Sequence, residues 1–423
     1  MPLARRTLPL ALLVLATACD RKARPKEGDL AGEVAALVPR VEEEAGLTFK
    51  RAPNVAAPTT AQVQAFLRRA LDEPKLRADL EAKEKVYKRL GLVPDTLDVR
   101  AMLLNVLGEQ VVGYYDPRAD TLYVVQGRTG VERETVIIHE LTHALQDQYV
   151  PLDSLDKLVG EDDRALAAQA VFEGHATLVM IGKASRTIVW EQARDAIRDG
   201  RSSSPAFAAA PPFVAEGLLF PYLGGAEFVR NAQAKGITAK QLLANLPRST
   251  SQILDLTRYG TPGNPADRVR FGVRGGARIT YENSFGEFET RLALANMLGD
   301  AARGMRAARG HDGDRYAWVS VPGGEGLAWA IVWDTPVEAA EFLDAAATAF
   351  STRYGDVEVR GGTRYERMPG VRGAGEVREL SAEGRRVTLR AVEIDGRPVT
   401  IVEDLPATFT GFVVDVATVR IGS

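Results

Sequence analysis

The sequence predicts an α+β protein: a mostly helical N-terminal domain carrying one β-hairpin, followed by a smaller α+β C-terminal domain. Three observations carry this expectation. Apolar residues recur at helical spacing through most of residues 30–260. Two β-rich runs around an Asp-Pro-Arg-Ala-Asp turn interrupt that pattern between Gln110 and Val125. Beyond Gly260–Arg278, a stretch rich in Gly, Pro and Arg that reads as a domain boundary, helix-like and strand-like runs alternate.

In chain order, Met1–Cys19 has a basic start at Arg5 and Arg6 and an apolar run, Leu8–Leu15. That run falls far short of the roughly 18–20 residues a membrane span needs, so it reads as an export signal. Ala16-Thr17-Ala18-Cys19 resembles a bacterial lipobox, which would make Cys19 the acylated first residue of the mature chain; ordinary secretory cleavage near Ala18 is the alternative. Residues 20–29 are polar and read as a tether. These features predict an exported protein of the cell envelope, held at a membrane by an N-terminal lipid. Helices are expected at Leu30–Ala45, Thr60–Leu71, Pro74–Leu90 and Thr96–Leu107, then at Glu132–Gln148 and Asp162–Lys183. Arg201–Pro212 lacks periodicity and reads as a loop, and mixed helical text runs on to Tyr259. The C-terminal domain, residues 279–423, is expected to hold a helix at Glu282–Arg309, strands at Tyr316–Val321 and Leu327–Trp333, and a helix at Pro336–Ser351. Strands at Val357–Arg360, Arg386–Glu393 and Pro398–Glu403 complete it.

Composition narrows the function classes. The 423 residues are 45% apolar and 26% charged with a formal net charge of −3, values of a globular chain with no basic surface for nucleic acid. Cys19 is the only cysteine, so no disulfide framework exists within the chain.

His139-Glu140-Leu141-Thr142-His143 fits the HExxH pattern. At about 100° per residue, His139 and His143 lie within roughly 40° of one another on a helix and can bind one metal ion. Glu140, about 60° from His143, reaches a metal-bound water without ligating the metal. Zinc suits such a site because it takes nitrogen and oxygen donors tetrahedrally and leaves a position open for water. Ile137, Leu141, Ala144 and Leu145 fall on the opposite face, towards the core. Asp147, one turn past His143, is expected to orient an imidazole. A third histidine six residues past His143 would mark a metzincin, but Tyr149 stands there. The third ligand is sought in the next helix, where Glu173 and His175 compete; about 200° apart, they cannot easily serve one ion. Small neighbours Ala170, Ala176 and Thr177 would let Glu173 approach the first helix. His175 then hydrogen-bonds within the fold, and Asp147 is a further possible ligand.

The segments GYYDPRADTLYV, HELTHALQDQ, VFEGHAT, FPYLGGAEFV, PRSTSQIL, GDRYAW and WDTPVEAAEF, between Gly113 and Phe342, resemble those of a group of exported bacterial metallopeptidases of gluzincin type. The resemblance implies a zincin-like catalytic domain over residues 30–260 with an active-site hairpin, and zinc held by His139, His143 and Glu173. It further implies Glu140 as general base and peptide-bond hydrolysis of a peptide or protein substrate. The chain departs from the group after Glu-Gly, where aspartate is usual and His175 stands here. In such folds an edge strand beside the metal pairs with the substrate, a role the resemblance opens to Thr121–Val125, with an interior strand whose alternation reflects packing as the alternative. An oxyanion partner should come from elsewhere, with Tyr222 and Tyr259 as candidates. The rival reading is a catalytically inactive binding or scaffolding lipoprotein on the same fold. In the C-terminal domain Trp318, Trp329 and Trp333 read as core, and His311-Asp312-Gly313-Asp314 as a turn.

Overall fold

The computed structural model describes residues 11–13, 29–127, 129–182, 190–199, 204–260, 268–354, 358–360, 376–382 and 384–422. Cys19 and the tether short of Asp29 lie outside the described residues, as do Arg201–Ser203 and Val357. The elements in order are β1 (Ala11–Leu13), α1 (Leu30–Ala45), β2 (Asn54–Ala56), α2 (Thr60–Leu71), α3 (Pro74–Arg89) and α4 (Val99–Gln110). The hairpin β3 (Val111–Asp116) and β4 (Thr121–Val124) leads into α5 (Gly130–Asp147), α6 (Asp162–Ile181) and α7 (Trp190–Asp199). Next come α8 (Pro205–Ala208), α9 (Pro212–Ala234), α10 (Ala239–Ala244) and α11 (Thr250–Leu254). The remainder is β5 (Arg268–Val273), β6 (Arg278–Asn283), α12 (Gly286–Leu298), α13 (Ala301–Ala307), β7 (His311–Val321), β8 (Gly324–Trp333) and α14 (Pro336–Tyr354). It closes with β9 (Glu358–Arg360), β10 (Glu376–Ala382), β11 (Arg385–Ile394), β12 (Arg397–Pro406) and β13 (Val414–Gly422). This is the expected α+β class, helical first and sheet-rich last.

Local sequence explains the helix ends. Asp29, Thr59 and Asp98 each accept a backbone N–H at the start of α1, α2 and α4, and Thr59 with Gln62 forms a capping box. Gly46, at φ +67°, takes the left-handed position that ends α1. Two expectations are corrected. The stretch read as one helix over Glu282–Arg309 begins in strand β6 and is broken into α12 and α13 by Gly299 at φ +64°. Within the stretch read as a loop, Pro205 starts the short helix α8, capped by the Ser204 hydroxyl.

The large sheet runs β6-β7-β8-β12-β11-β10-β9, every neighbour antiparallel, and α12 and α14 cover one face. Trp318, Trp329 and Trp333 are buried in that layer, with the Trp329 and Trp333 indole N–H groups donating to Asp314 and Thr400. His311–Asp314, read as a turn, instead opens β7 across a bulge, with all four residues buried. The small sheet runs β1-β3-β4-β2 and lies beside α5. β4 is interior to it: antiparallel to β3 on one side, parallel to β2 on the other. Both of its edges are taken, so of the two readings of Thr121–Val125 the interior strand holds and the substrate-pairing edge does not.

The helical core gathers Ile137, Leu141, Ala144 and Leu145 of α5 with Ala167, Ala170, Val171 and Phe172 of α6. α3 belongs elsewhere. Val86, together with Leu90, Leu92 and Phe213, packs with Trp318 and Trp329 in the core beneath the large sheet. Polar ties reinforce the join. The Asp162 amide donates to Asn283 Oδ1 at 3.0 Å, and the Phe288 amide donates to the Thr250 hydroxyl at 3.1 Å, with Thr250 itself held from the helical side by Asp163. Arg315 donates to the Gly160 and Val269 carbonyls, and Arg258 reaches Asp334 at 2.5 Å. The PRSTSQIL, GDRYAW and WDTPVEAAEF segments therefore hold the helical part to the sheet.

Candidate metal centre

Two helices build the site. α6 and α9 meet backbone to backbone: a Cβ on Gly174 would lie 2.0 Å from the Gly225 carbonyl carbon, and one on Gly225 would lie 1.9 Å from the Ala170 oxygen. Gly174 and the backbone at Ala170 of α6 thus admit α9, the neighbour that small residues here let in. Tyr222 lies one turn before Gly225, and its ring sits over His139 with centroids 6.1 Å apart.

His139 and His143 project from one face of α5 with their Nε2 atoms 3.0 Å apart. Glu173 Oε2 of α6 lies 3.0 Å from His139 Nε2 and 3.4 Å from His143 Nε2. Around a tetrahedral ion with bonds of about 2.0–2.1 Å, donor atoms stand about 3.3 Å from one another. The donor set therefore fits zinc in both chemistry and spacing. Among the described residues this is the one group of three or more His, Cys, Asp or Glu side chains able to share an ion. All three are fully buried, and Glu173 Oε1 has no hydrogen-bond partner.

Charge is shared unevenly here. Burial drives the His139 imidazolium well below its ordinary range. The same burial opposes charge on His143, but the Glu173 carboxylate outweighs it and lifts the group well above that range. Glu173, which burial alone would raise, is held below the usual carboxylate range by the two imidazoles.

Glu140 is fully buried, and neither of its oxygens has a hydrogen-bond partner. Burial pushes its pKa up to about 8, Glu173 adding to the rise and His143 opposing it, with a lesser opposing pull from the Tyr115 amide, which stands outside hydrogen-bond geometry. Gly113 of β3 lets the hairpin press on α5 beside it: a Cβ there would meet Val136 Cγ1 at 2.5 Å and the Tyr123 carbonyl at 2.9 Å, with Glu140 Cγ at an ordinary 3.4 Å.

Asp147 does not touch an imidazole. It accepts the Leu152 amide at 2.8 Å and lies 2.9 Å from the Tyr115 hydroxyl, pinning the end of α5 to the hairpin. The contact expected of it belongs to Gln146, whose Oε1 is 2.9 Å from His143 Nδ1. Positions three and four past a histidine lie about equally near its face, so rotation alone does not separate them. His175 points away from the donor cluster, with Nδ1 3.2 Å from Gln146 Nε2 and Nε2 3.2 Å from the Ala45 carbonyl. Tyr259 is also remote in its bonding: its hydroxyl donates to the Asn245 carbonyl at 2.7 Å and its ring packs on Phe228.

A family model described as a domain of unknown function (DUF8575) matches residues 276–408, the large-sheet part from β6 to β12, and does not reach α5 or α6. No curated protein and no solved structure matches the chain.

Proposed function

We propose that the protein is an exported zinc-dependent peptidase in which His139, His143 and Glu173 hold the ion and Glu140 is the general base. The observation that carries this reading is the convergence of three buried donors at 3.0–3.4 Å beside a buried carboxylate that bonds to nothing else. Unpaired buried polar groups are costly, and a site that uses them accounts for their presence better than a packing role does. Zinc bound there would act as a Lewis acid and bring the pKa of a coordinated water towards about 7. Glu140 would accept the proton of the attacking water and pass it to the leaving amine. Tyr222, whose ring covers His139, is the candidate to stabilise the developing negative charge; Tyr259, committed to Asn245, is not. An extended peptide would add to the outer edge of β3. β1 holds that edge here, and β1 lies within the expected leader, whose removal would free it. No described helix is long and apolar enough to cross a membrane; a lipid on Cys19 would provide the anchor.

The test is zinc content by mass spectrometry and cleavage of a peptide library by wild type and Glu140→Gln. One zinc per chain in both proteins, with cleavage by wild type alone, supports the reading. A wild type that takes up no zinc, or one that binds zinc and cleaves nothing, rejects it in favour of a silent binding protein.

A further inference from the structure

We infer that Gln146 and His175 are positioning residues that lock the His143 ring in its ion-binding tautomer. The inference rests on the metal reading above and concerns how tightly that site holds its ion.

The hydrogen bonds form one chain from α1 to the donor cluster. His175 Nε2 lies 3.2 Å from the Ala45 carbonyl, the last residue of α1. A carbonyl only accepts, so Nε2 carries the proton and Nδ1 of the neutral ring is an acceptor. Gln146 Nε2 is 3.2 Å from that Nδ1 and 3.0 Å from the Phe172 carbonyl. Both partners accept, so the amide must turn its NH2 to them, and the reverse orientation would set oxygen against oxygen. Gln146 Oε1 is then obliged to face His143 Nδ1, at 2.9 Å. An amide oxygen only accepts, so His143 carries a proton on Nδ1, which leaves Nε2, the nitrogen facing His139 and Glu173, as the one whose lone pair would take an ion. Every link is set by the one before it, and the first is fixed by a backbone carbonyl. His143, Gln146 and His175 are all buried, so water offers no easy substitute for a lost partner.

His139 provides the contrast. Its Nδ1 is buried without a hydrogen-bond partner, so the ring orientation on that side depends on packing under Tyr222. The cluster is held by bonds on one histidine and by shape on the other. Loss of the chain through Gln146 therefore weakens zinc binding while leaving the donors themselves intact.

The test uses the full chain, stripped of metal and titrated with zinc against a chromophoric chelator of known affinity. Gln146→Met keeps length and removes both donor and acceptor; the zinc dissociation constant should rise about 10–100-fold. His175→Leu should also weaken binding, and His175→Asn, whose side-chain oxygen can replace the Nδ1 acceptor, should return to within a few-fold of wild type. With only four histidines in the chain, ring-¹⁵N labelling gives a second readout. The zinc-loaded wild type should show a slowly exchanging Nδ1–H on His143, lost in Gln146→Met. Thermal melts separate these effects from misfolding. Wild-type affinity in Gln146→Met, or equal losses in His175→Leu and His175→Asn, would overturn the inference while the metal reading stood. A wild type without zinc would sink the metal reading first.

Discussion

Replacing Gly225 by alanine puts a methyl carbon 1.9 Å from the Ala170 carbonyl oxygen, with the Ala170 carbonyl carbon and Cα next at 2.7 and 3.0 Å. All three are backbone atoms of α6, so no side chain can swing aside. An ordinary carbon–oxygen contact needs about 3.4 Å, and α6 and α9 must separate by about 1.5 Å. Overpacking of this kind costs roughly 1–3 kcal/mol, and a clash with rigid backbone belongs at the upper end. The displacement also reaches the site, because Glu173 sits three residues beyond Ala170 and Tyr222 three before Gly225. Metal sites tolerate errors of about 0.2 Å in their bonds, so zinc affinity should fall at least tenfold. Gly217→Ala on the same helix is the control. A Cβ there meets nothing within 4 Å, and the gain in helix propensity should raise stability by up to about 1 kcal/mol. Thermal unfolding and zinc titration of the two variants give the comparison. If Gly225→Ala melts with wild type and holds zinc as tightly, the close approach of α6 and α9 does not position the site.

Further outcomes are expected. Tyr222→Phe should retain zinc and lose about 10²–10³ in kcat if its hydroxyl serves the oxyanion, whereas Tyr259→Phe should leave kcat unchanged; equal rates for both would remove Tyr222 from the chemistry. Glu140→Gln should keep its metal and lose at least about 10²-fold in rate, read by steady-state cleavage at matched zinc occupancy. In the sheet, His311 Nε2 lies 3.3 Å from Asp314 Oδ1, both fully buried. Burial lowers the His311 pKa, but the carboxylate outweighs it and raises the group. Burial raises Asp314, but His311 and the Phe285 and Gly286 amides outweigh it and lower the group. His311 therefore stabilises fully below its unfolded pKa near 6.5, an effect that fades as pH climbs through the raised folded value. Asp314 stabilises above about 3.9, an effect lost as pH falls through the lowered folded value. His311→Phe should cost about 3 kcal/mol between pH 4 and 6.5, since Asp314 keeps its N–H donors. The cost should shrink towards alkaline pH; urea unfolding with a gap independent of pH would refute the ion pair.

Much of this was legible before any coordinates. The helices α1, α2, α5 and α6 follow from 3.6-residue spacing and from caps such as Asp29 and Thr59, and the hairpin from its turn residues. What the sequence hid has a common cause in contacts distant along the chain. The parallel partner of β4 is only three residues long and lies 65 residues upstream, so nothing near Thr121 reveals that the strand is interior. Gln146 and Asp147 are separated by which neighbour each meets, Phe172 or Tyr115, and not by their angle on α5. That Tyr222 and not Tyr259 stands beside His139 depends on the glycine that lets α9 press against α6. One signal was readable and went unused: a glutamine three residues past a ligand histidine can reach its free ring nitrogen.

The place of α3 bears on the order in which the chain can become a protein. Its Val86 shares a core with Leu90, Leu92 and Phe213 but also with Trp318, Trp329 and Leu389, and Lys85 meets Glu325 some 240 positions downstream. Once the first 260 residues have left the ribosome, the core around α5 and α6 has all its buried members, whereas the core that α3 joins lacks its large-sheet residues. Completion of that second core must await nearly the whole polypeptide, since Leu389 and Val402 belong to it, and contacts so distant along the chain form slowly. The layer of helices on the large sheet is thus able to close only after the core around α5 and α6 has all its parts.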